Sequence, residues 1–194
     1  MTERNGTGRR LAIGMGTLAL TAIPARRAVP PKLEAKVFVS INQLPDALFK
    51  PIWPVMQFGA LAAIPVAAGA AAAAGHPKLS RRVFGTGITT WLIAKVVKRW
   101  VGRGRPDGLI PEVRIRGRAA TGEGFLSGHA GIAAALATAA MPMYPKLRLP
   151  LAGLVATVGV SRIYVGAHLP LDVVGGAALG VTVDAAVNAL IGTS

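Results

Sequence analysis

Long apolar stretches alternate with short basic or proline-containing segments along most of this chain. Three stretches approach the ~20 residues that a helix needs to cross a bilayer: Trp53 to Ala74, Val83 to Val101 and His168 to Ile191. Two others, Gly131 to Met143 and Leu149 to Ile163, are shorter and mainly apolar. The pattern therefore predicts five membrane-spanning helices.

A sixth apolar stretch, Leu11 to Pro24, lies between two pairs of arginines. Its basic start and ~13 apolar residues also fit a signal peptide, with residues 22–25 as the small-residue cleavage region. The arginines that follow it favour a retained, short first helix. We therefore expect an all-α polytopic membrane bundle of about six transmembrane helices, the first one short.

The segment from residue 31 to residue 50 has a different pattern. Leu33, Val37, Phe38 and Ile41 recur at helical spacing, and we expect the charged residues to take the other side. Such a stripe is typical of an amphipathic helix that lies in the membrane interface.

Prolines and small residues add detail within the apolar stretches. Pro54 and Pro65 are expected to kink or cap the first long span. Alanine and glycine fill the later spans and allow close helix packing. We expect one membrane-embedded domain over residues 1–194, made of a basic segment with the short helix (1–30), the interfacial helix (31–50) and the main bundle (53–191).

Composition agrees with a membrane protein. Of 194 residues, 52% are hydrophobic and 15% are charged, against about a quarter charged in soluble domains. The absence of cysteine excludes disulfides, thiolate zinc sites and cysteine nucleophiles. The net charge of +14 comes mostly from cations between apolar stretches, where they would face anionic lipid or an anionic substrate. We predict a multi-pass protein of the plasma (inner) membrane with no nucleic-acid partner.

Polar residues collect at three span ends. KRWVGRGRP (98–106) closes the third span, FLSGH (125–129) opens the fourth, and SRIYVGAHLPLD (161–172) joins the fifth to the sixth. Counted from the short first helix, all three ends lie on one side of the membrane. The residues expected at this face are Lys98, Arg105, Ser127, Gly128, His129, Arg162, His168 and Asp172.

These residue types fit the cleavage of a phosphate ester. Three cations with hydroxyl and backbone donors form a pocket for a dianionic oxyanion. One histidine can attack phosphorus while the other protonates the departing alkoxide. His168 and Asp172 are four residues apart, so the carboxylate can orient the ring, and His168 is the predicted nucleophile. Gly128 and His129 lie at a helix start, whose free N–H groups favour a phosphate.

The sequence resembles the type 2 phosphatidic acid phosphatase family. The three family motifs are matched, in order, by Lys98 with Arg105-Pro106, by Ser127-Gly128-His129, and by Ser161-Arg162 with His168 and Asp172. Leu126 stands where the family usually has proline, which leaves the phosphate contacts intact. The resemblance extends over nearly the whole chain after residue 50.

This resemblance implies a six-helix, metal-independent phosphatase without a cofactor that acts on a membrane lipid phosphate or pyrophosphate through a phosphohistidine. Phosphate would be held by Lys98, Arg105, Ser127, Gly128 and Arg162. His168 would attack, Asp172 would orient it, and His129 would serve as the acid and later activate water. Soluble acid phosphatases and vanadate-dependent haloperoxidases share the family, but the apolar spans favour its membrane branch.

Several alternatives stay open at this point. A non-catalytic lipid-phosphate binder or transport bundle needs the cations but neither histidine, so the histidines favour the enzyme. Phosphatidic acid, phosphatidylglycerol phosphate, a polyprenyl pyrophosphate and a polyprenyl phosphosugar all fit as substrates, and a homodimer is possible.

The orientation in the membrane also stays open. Ten flanking cations lie on the side of the site, Arg103 and Arg116 among them, and eight lie on the other side, so the count does not fix the orientation. His76 is expected to have no chemical role, and Asp184 is unassigned.

Overall fold

The computed structural model describes residues 2–191, and within that range the chain is all-α. The helices are α1 (Thr2–Ala25), α2 (Lys32–Asn42), α3 (Phe49–Met56), α4 (Ala63–Ala73), α5 (Pro77–Val101), α6 (Gly128–Ala140), α7 (Arg148–Tyr164) and α8 (Pro170–Ile191). Short 3₁₀ turns occupy Asp46–Leu48, Gln57–Gly59, Pro106–Gly108 and Pro145–Leu147. The predicted fold class is confirmed.

In the part of the chain that the structure describes, two helical segments are long and apolar enough to cross a membrane unaided, Pro145–Tyr164 and Pro170–Leu190. The α3 and α4 region meets the same test only as a bent pair. Helix α6 is apolar but has 13 residues, and α5 has 25 residues with basic residues in its last turn. If the bent pair counts once and the predicted interfacial helix α2 is left out, the described residues form six helical units, as the hydrophobic pattern predicts.

The span predicted for Trp53–Ala74 is bent, but not at the two prolines that were expected to kink or cap it. Helix α3 ends at Met56, and α4 begins at Ala63 after a bend of 70°. The two prolines do not lie at the break, since Pro54 is inside α3 and Pro65 is in the first turn of α4. At the break, Gly59 packs so closely on the His129 carbonyl that a Cβ atom would clash there.

Helix α2 forms as predicted but is shorter and presents a different face. It ends at Asn42 rather than extending to residue 50. Phe38 is buried, whereas Leu33 is 74% exposed and Glu34 only 5% exposed. The assumption that every charge of this segment faces outward was wrong, because Glu34 forms an ion pair with the buried Arg103.

Helix α8 lies at the centre of the bundle and packs on α1, α5, α6 and α7. Its contact with α6 is close, because Gly176 and Gly180 leave no room for a Cβ atom beside the backbone carbonyls of Ser127 and Gly131. Small residues thus let two helix backbones approach directly, as expected for membrane bundles. This contact holds the N-terminal ends of α6 and α8 side by side.

Helix α1 contains the whole Leu11–Pro24 stretch and packs along α8. Ala22 and Ala25 share an apolar cluster with Phe125 and Leu126, next to the second motif. In this structure the stretch therefore packs against the bundle beside the second motif.

Asp184 has a structural explanation that the sequence did not offer. Its carboxylate is fully buried in α8 and accepts hydrogen bonds from Arg10 of α1, at 3.1 Å, and from Arg82 of α5, at 2.9 Å. His76 immediately precedes α5, at the end opposite Lys98, and contacts Tyr144 edge to face with ring centroids 6.3 Å apart.

Candidate active site

The loop between α5 and α6 is held against the rest of the bundle by Arg116. Arg116 donates hydrogen bonds to the carbonyls of Asn42, at 2.7 Å, and Tyr164, at 2.6 Å, and its guanidinium lies 4.1 Å from the Tyr164 ring centroid. It also pairs with Asp46 at 2.8 Å. Arg116 and Arg103 are buried, so treating them as free flanking cations was wrong.

His168 lies between α7 and α8 and is 3% exposed. Its Nδ1 is 2.9 Å from the Gly124 carbonyl oxygen and 3.7 Å from the Asp172 carboxylate. Because a carbonyl can only accept, the Nδ1 position carries the proton and Nε2 keeps its lone pair. The acceptor nearest to this proton is therefore the Gly124 carbonyl, which the sequence reasoning missed, and not the predicted Asp172.

Arg105 covers the ring of His168. Its Nη1 is 3.1 Å from Nε2 and 3.3 Å from Nδ1. A position almost equidistant from both ring nitrogens lies over the face of the imidazole, since an in-plane position would collide with the ring carbons. The guanidinium is fixed there by the carbonyls of Ala167, at 2.8 Å, Thr121, at 2.9 Å, and Gly122, at 3.0 Å. The in-plane lone pair of Nε2 thus remains free.

Asp172 is fully buried in the first turn of α8. One carboxylate oxygen accepts from Arg103 at 2.7 Å, and the other accepts from the Leu169 N–H at 2.8 Å. Its backbone carbonyl accepts from the Ser127 N–H at 2.8 Å, which joins the start of α8 to the start of α6. The third motif is therefore bound directly to the second.

Arg103 and Glu34 are buried polar residues that the sequence reasoning missed. Arg103 forms ion pairs with both Asp172 and Glu34. A signal was present for Glu34, because it lies four residues before Phe38 and so shares that buried helix face.

Lys98, Arg105 and Arg162 form a cluster of cations within electrostatic range of one another, and none of them makes a salt bridge among the described residues. Lys98 contacts the Glu123 and Gly124 carbonyls at 3.1 and 3.4 Å, and the Arg162 Nη1 contacts the Met56 sulfur at 2.8 Å. The Arg162 Nε is buried without a hydrogen-bond partner. Within residues 2–191, the acceptors bonded to Lys98, Arg105 and Arg162 are all neutral: backbone carbonyls, the His168 ring and the Met56 sulfur. No salt bridge therefore neutralises this cluster, and Asp172 and Glu123 act on it only at longer range.

The second motif forms the start of α6. Ser127 is fully buried and is the N-cap, where its hydroxyl accepts from the Ala130 N–H at 3.4 Å. In the described part of the chain, the N–H groups of Gly128 and His129 form no hydrogen bond. They are the unsatisfied donors expected at a helix start. The half-buried His129 ring lies within electrostatic range of Lys98 and Arg162.

Burial lowers the pKa of His168 to about 3, opposed by Asp172 and assisted by the positive charges of Lys98 and Arg105. The imidazole is thus neutral at pH 7 and able to act as a nucleophile. The site can bind an oxyanion and present this neutral ring to it. Among the described residues, no group of three or more His, Asp or Glu side chains is arranged to hold a metal ion.

Sequence comparison places these residues within a known family. The model of the PAP2 superfamily matches residues 81–194, which include every predicted site residue. A lipid A 1-phosphatase of Rhizobium etli is 35% identical over 103 residues, covering 50% of this chain and 44% of the relative. A decaprenylphosphoryl-5-phosphoribose phosphatase of Mycobacterium tuberculosis is 40% identical over 101 residues, covering 52% and 54%. The chain spans about half the length of these curated relatives.

Structural comparison gives the same fold. A crystal structure of a transmembrane PAP2-type phosphatidylglycerolphosphate phosphatase from Bacillus subtilis matches with a TM-score of 0.67 at 21% identity, covering 90% of this chain and 94% of that one. LpxE from Aquifex aeolicus matches with a TM-score of 0.70 at 20% identity, covering 78% and 92%. The fold, the three ordered motifs and the family match together show that this chain belongs to the PAP2 superfamily.

Proposed function

We propose that this protein is an integral membrane phosphatase that hydrolyses a phosphomonoester or pyrophosphate on a lipid. The observation that carries the proposal is the cluster of Lys98, Arg105 and Arg162, which bond only neutral acceptors, with Arg105 lying over the ring of the neutral His168. Charges removed from water need compensation, and a phosphate dianion supplies it. The free N–H groups of Gly128 and His129 add donors on the α6 side.

In the first step, the Nε2 lone pair of His168 attacks phosphorus, and the bond from phosphorus to the lipid oxygen breaks. We propose that His129 takes up a proton when the phosphate dianion binds and offsets the charges of Lys98 and Arg162. It then donates this proton to the departing oxygen, which leaves as an alcohol or, from a pyrophosphate, as a phosphate. The positive charge that forms on His168 is stabilised by Asp172, 3.7 Å from Nδ1. The Gly124 carbonyl keeps the Nδ1 proton in place throughout.

In the second step, neutral His129 takes a proton from water, and the resulting hydroxide attacks the phosphohistidine. The bond between phosphorus and nitrogen breaks, and its electron pair returns to Nε2. Inorganic phosphate leaves, and His129 is protonated again. Each chemical role is filled by a side chain of this chain, so we propose a reaction that needs no metal ion.

The substrate class follows from the apolar bundle and the names of the relatives. The site lies at one end of the membrane-embedded helices, where a lipid headgroup would present its phosphate. The named relatives act on lipid A, on decaprenylphosphoryl-5-phosphoribose and on phosphatidylglycerolphosphate. We propose a lipid-linked phosphate of this kind as the substrate, a multi-pass location in the plasma membrane, and a single domain for the whole chain.

The test is phosphate release by the detergent-purified protein and its His168→Ala variant. Both are assayed with chelator on phosphatidic acid, phosphatidylglycerol phosphate, polyprenyl pyrophosphate and a polyprenyl phosphosugar phosphate. The proposal expects release by wild type alone on at least one lipid. Tight binding of a lipid phosphate without release from any of the four would favour the non-catalytic binder. Equal release by the variant would remove His168 from the mechanism.

A further inference from the structure

The predicted interfacial helix α2 reaches the catalytic residues through a buried ion-pair relay. Glu34 of α2 pairs with Arg103 of the α5–α6 loop, and Arg103 pairs in turn with Asp172 of α8. The side chains of the three residues are 3%, 1% and 0% exposed. Glu34 lies outside residues 81–194, the segment that the family model matches.

We propose that Glu34 and Arg103 are positioning residues that hold the Asp172 carboxylate in the orientation and charge state that His168 requires. This inference rests on the proposed function. Among the described residues, the side chains of Glu34 and Arg103 form no hydrogen bond or ion pair with His168, Lys98, Arg105 or Arg162, so both side chains would act through Asp172.

The geometry accounts for the orientation. The Arg103 Nη1 donates to Glu34 and to Asp172, at 2.9 and 2.7 Å, and Nη2 donates to the second oxygen of Glu34. Because Arg103 holds one oxygen of Asp172 and the Leu169 N–H holds the other, the carboxylate cannot rotate freely. Glu34 also accepts from the Leu171 N–H at 2.9 Å, so it caps α8 in the turn that carries Asp172.

The charges account for the role of Glu34. Two carboxylates and one guanidinium leave the relay with one net negative charge, buried beside His168. When His168 attacks phosphorus it becomes cationic, and this charge stabilises it in a site of low dielectric. Without Glu34, the charge of Arg103 would cancel that of Asp172. The relay would then be neutral, and the cationic intermediate would lose its compensation.

The test measures kcat, KM and inhibition by inorganic phosphate for Glu34→Gln and Arg103→Lys. Each variant should lose about tenfold to a hundredfold in kcat, as is typical when the partner of a functional group is removed. KM and the inhibition constant of phosphate should stay within about twofold, because Lys98, Arg105 and Arg162 are untouched. Lysine retains the charge of Arg103 but cannot bond both carboxylates at once.

The matched control is Asp46→Asn. Asp46 is also an acidic residue close to α2 that pairs with a loop arginine, Arg116, but this pair does not contact Asp172. Its kcat should equal that of the wild type. Thermal unfolding of every variant separates a loss of activity from a loss of folded protein. If Glu34→Gln does not fold, Arg103→Lys still tests the positioning role.

A double-mutant cycle identifies action through Asp172. In an Asp172→Asn background, Glu34→Gln should cause no further loss of kcat. A full, additive loss there would show a merely structural role and overturn the inference, as would wild-type kcat in both single variants. Those results leave the phosphatase standing. A wild type that releases no phosphate from any lipid would instead overturn the proposed function, and this inference with it.

Discussion

Helix α8 carries two fully buried carboxylates, Asp172 in its first turn and Asp184 three turns later. Asp184 is bound by two arginines, Arg10 and Arg82, so it has no free acceptor toward a reacting group, and water reaches the excess positive charge because both arginines are partly exposed. Asp172 shares a single arginine with a second carboxylate and lies 3.7 Å from an imidazole. The same residue type on the same helix therefore has two different surroundings.

The difference shows which observation identifies a functional site in a membrane bundle. A buried carboxylate alone does not, since Asp184 simply ties α1 and α5 to α8. The end of α8 that carries Asp172 also holds a neutral histidine and a cluster of cations that have no acidic partner. An arrangement that leaves charge uncompensated within the protein is one that a charged ligand can complete.

The largest effect is expected for His168→Ala. Removal of the nucleophile should lower kcat by about 10⁴-fold or more, as for other nucleophilic triads. The bundle should unfold at a similar temperature, because His168 is outside the helices. Phosphate release and thermal unfolding measure the two quantities, and substantial residual turnover would contradict the assigned nucleophile.

The next prediction compares the replacement of each of the two buried carboxylates by an amide. Asp172→Asn should lower kcat by about 10²- to 10⁴-fold, because the cation on His168 loses its counter-charge. Asp184→Asn should leave kcat per folded molecule unchanged but destabilise the protein by about 3–5 kcal/mol, because two arginines lose their buried partner.

The two aspartate variants are each other's control. Kinetics and denaturant unfolding are measured on both in the same detergent. If Asp184→Asn also abolished turnover in folded protein, or Asp172→Asn did not affect it, the two ends of α8 would not differ in the way that the structure indicates.

A smaller effect is expected for Gly124→Ala. A Cβ atom at this position would clash with the Gly104 carbonyl, so the Gly124 carbonyl that bonds Nδ1 of His168 must move. We expect kcat to fall by about tenfold, in the range found for lost orienting partners. Gly108→Ala is the control, since nothing lies within 4 Å of its Cβ position and its activity should be normal.

Much of the site follows from the sequence because its residues occur in three ordered motifs at span ends. Lys98, His168 and Asp172 could be placed on one face from the number of crossings alone. The Gly124 carbonyl could not, because a backbone acceptor has no signature in a side-chain pattern. Glu34 and Arg103 are 69 residues apart, so their pairing depends on the fold.

The fold shows the same division. Hydrophobic stretches predicted the helical units correctly, because burial of apolar surface decides where a helix crosses a membrane. The break between α3 and α4 was not predictable from Pro54 or Pro65. It lies at Gly59, where the chain packs on the start of α6, and such a contact exists only once both segments are in place.

The smallest expected effect is that of a chelator. The proposed reaction uses only side chains of this chain, so EDTA should change kcat by less than about twofold. Phosphate release before and after chelation measures it, with magnesium added back as a control. Loss of activity that magnesium restores would contradict the metal-free mechanism.

The central claim is that His168 carries the phosphoryl group during the reaction. It is tested most directly by stopping turnover rapidly in alkali and identifying the phosphorylated residue. Protein incubated with lipid that bears radiolabelled phosphate is denatured in alkali and digested, and the labelled peptide is identified by mass spectrometry. The account predicts an alkali-stable, acid-labile label on the peptide that contains His168, and none in His168→Ala. Rapid turnover by the wild type with label on another residue, or with no label at all, would contradict it.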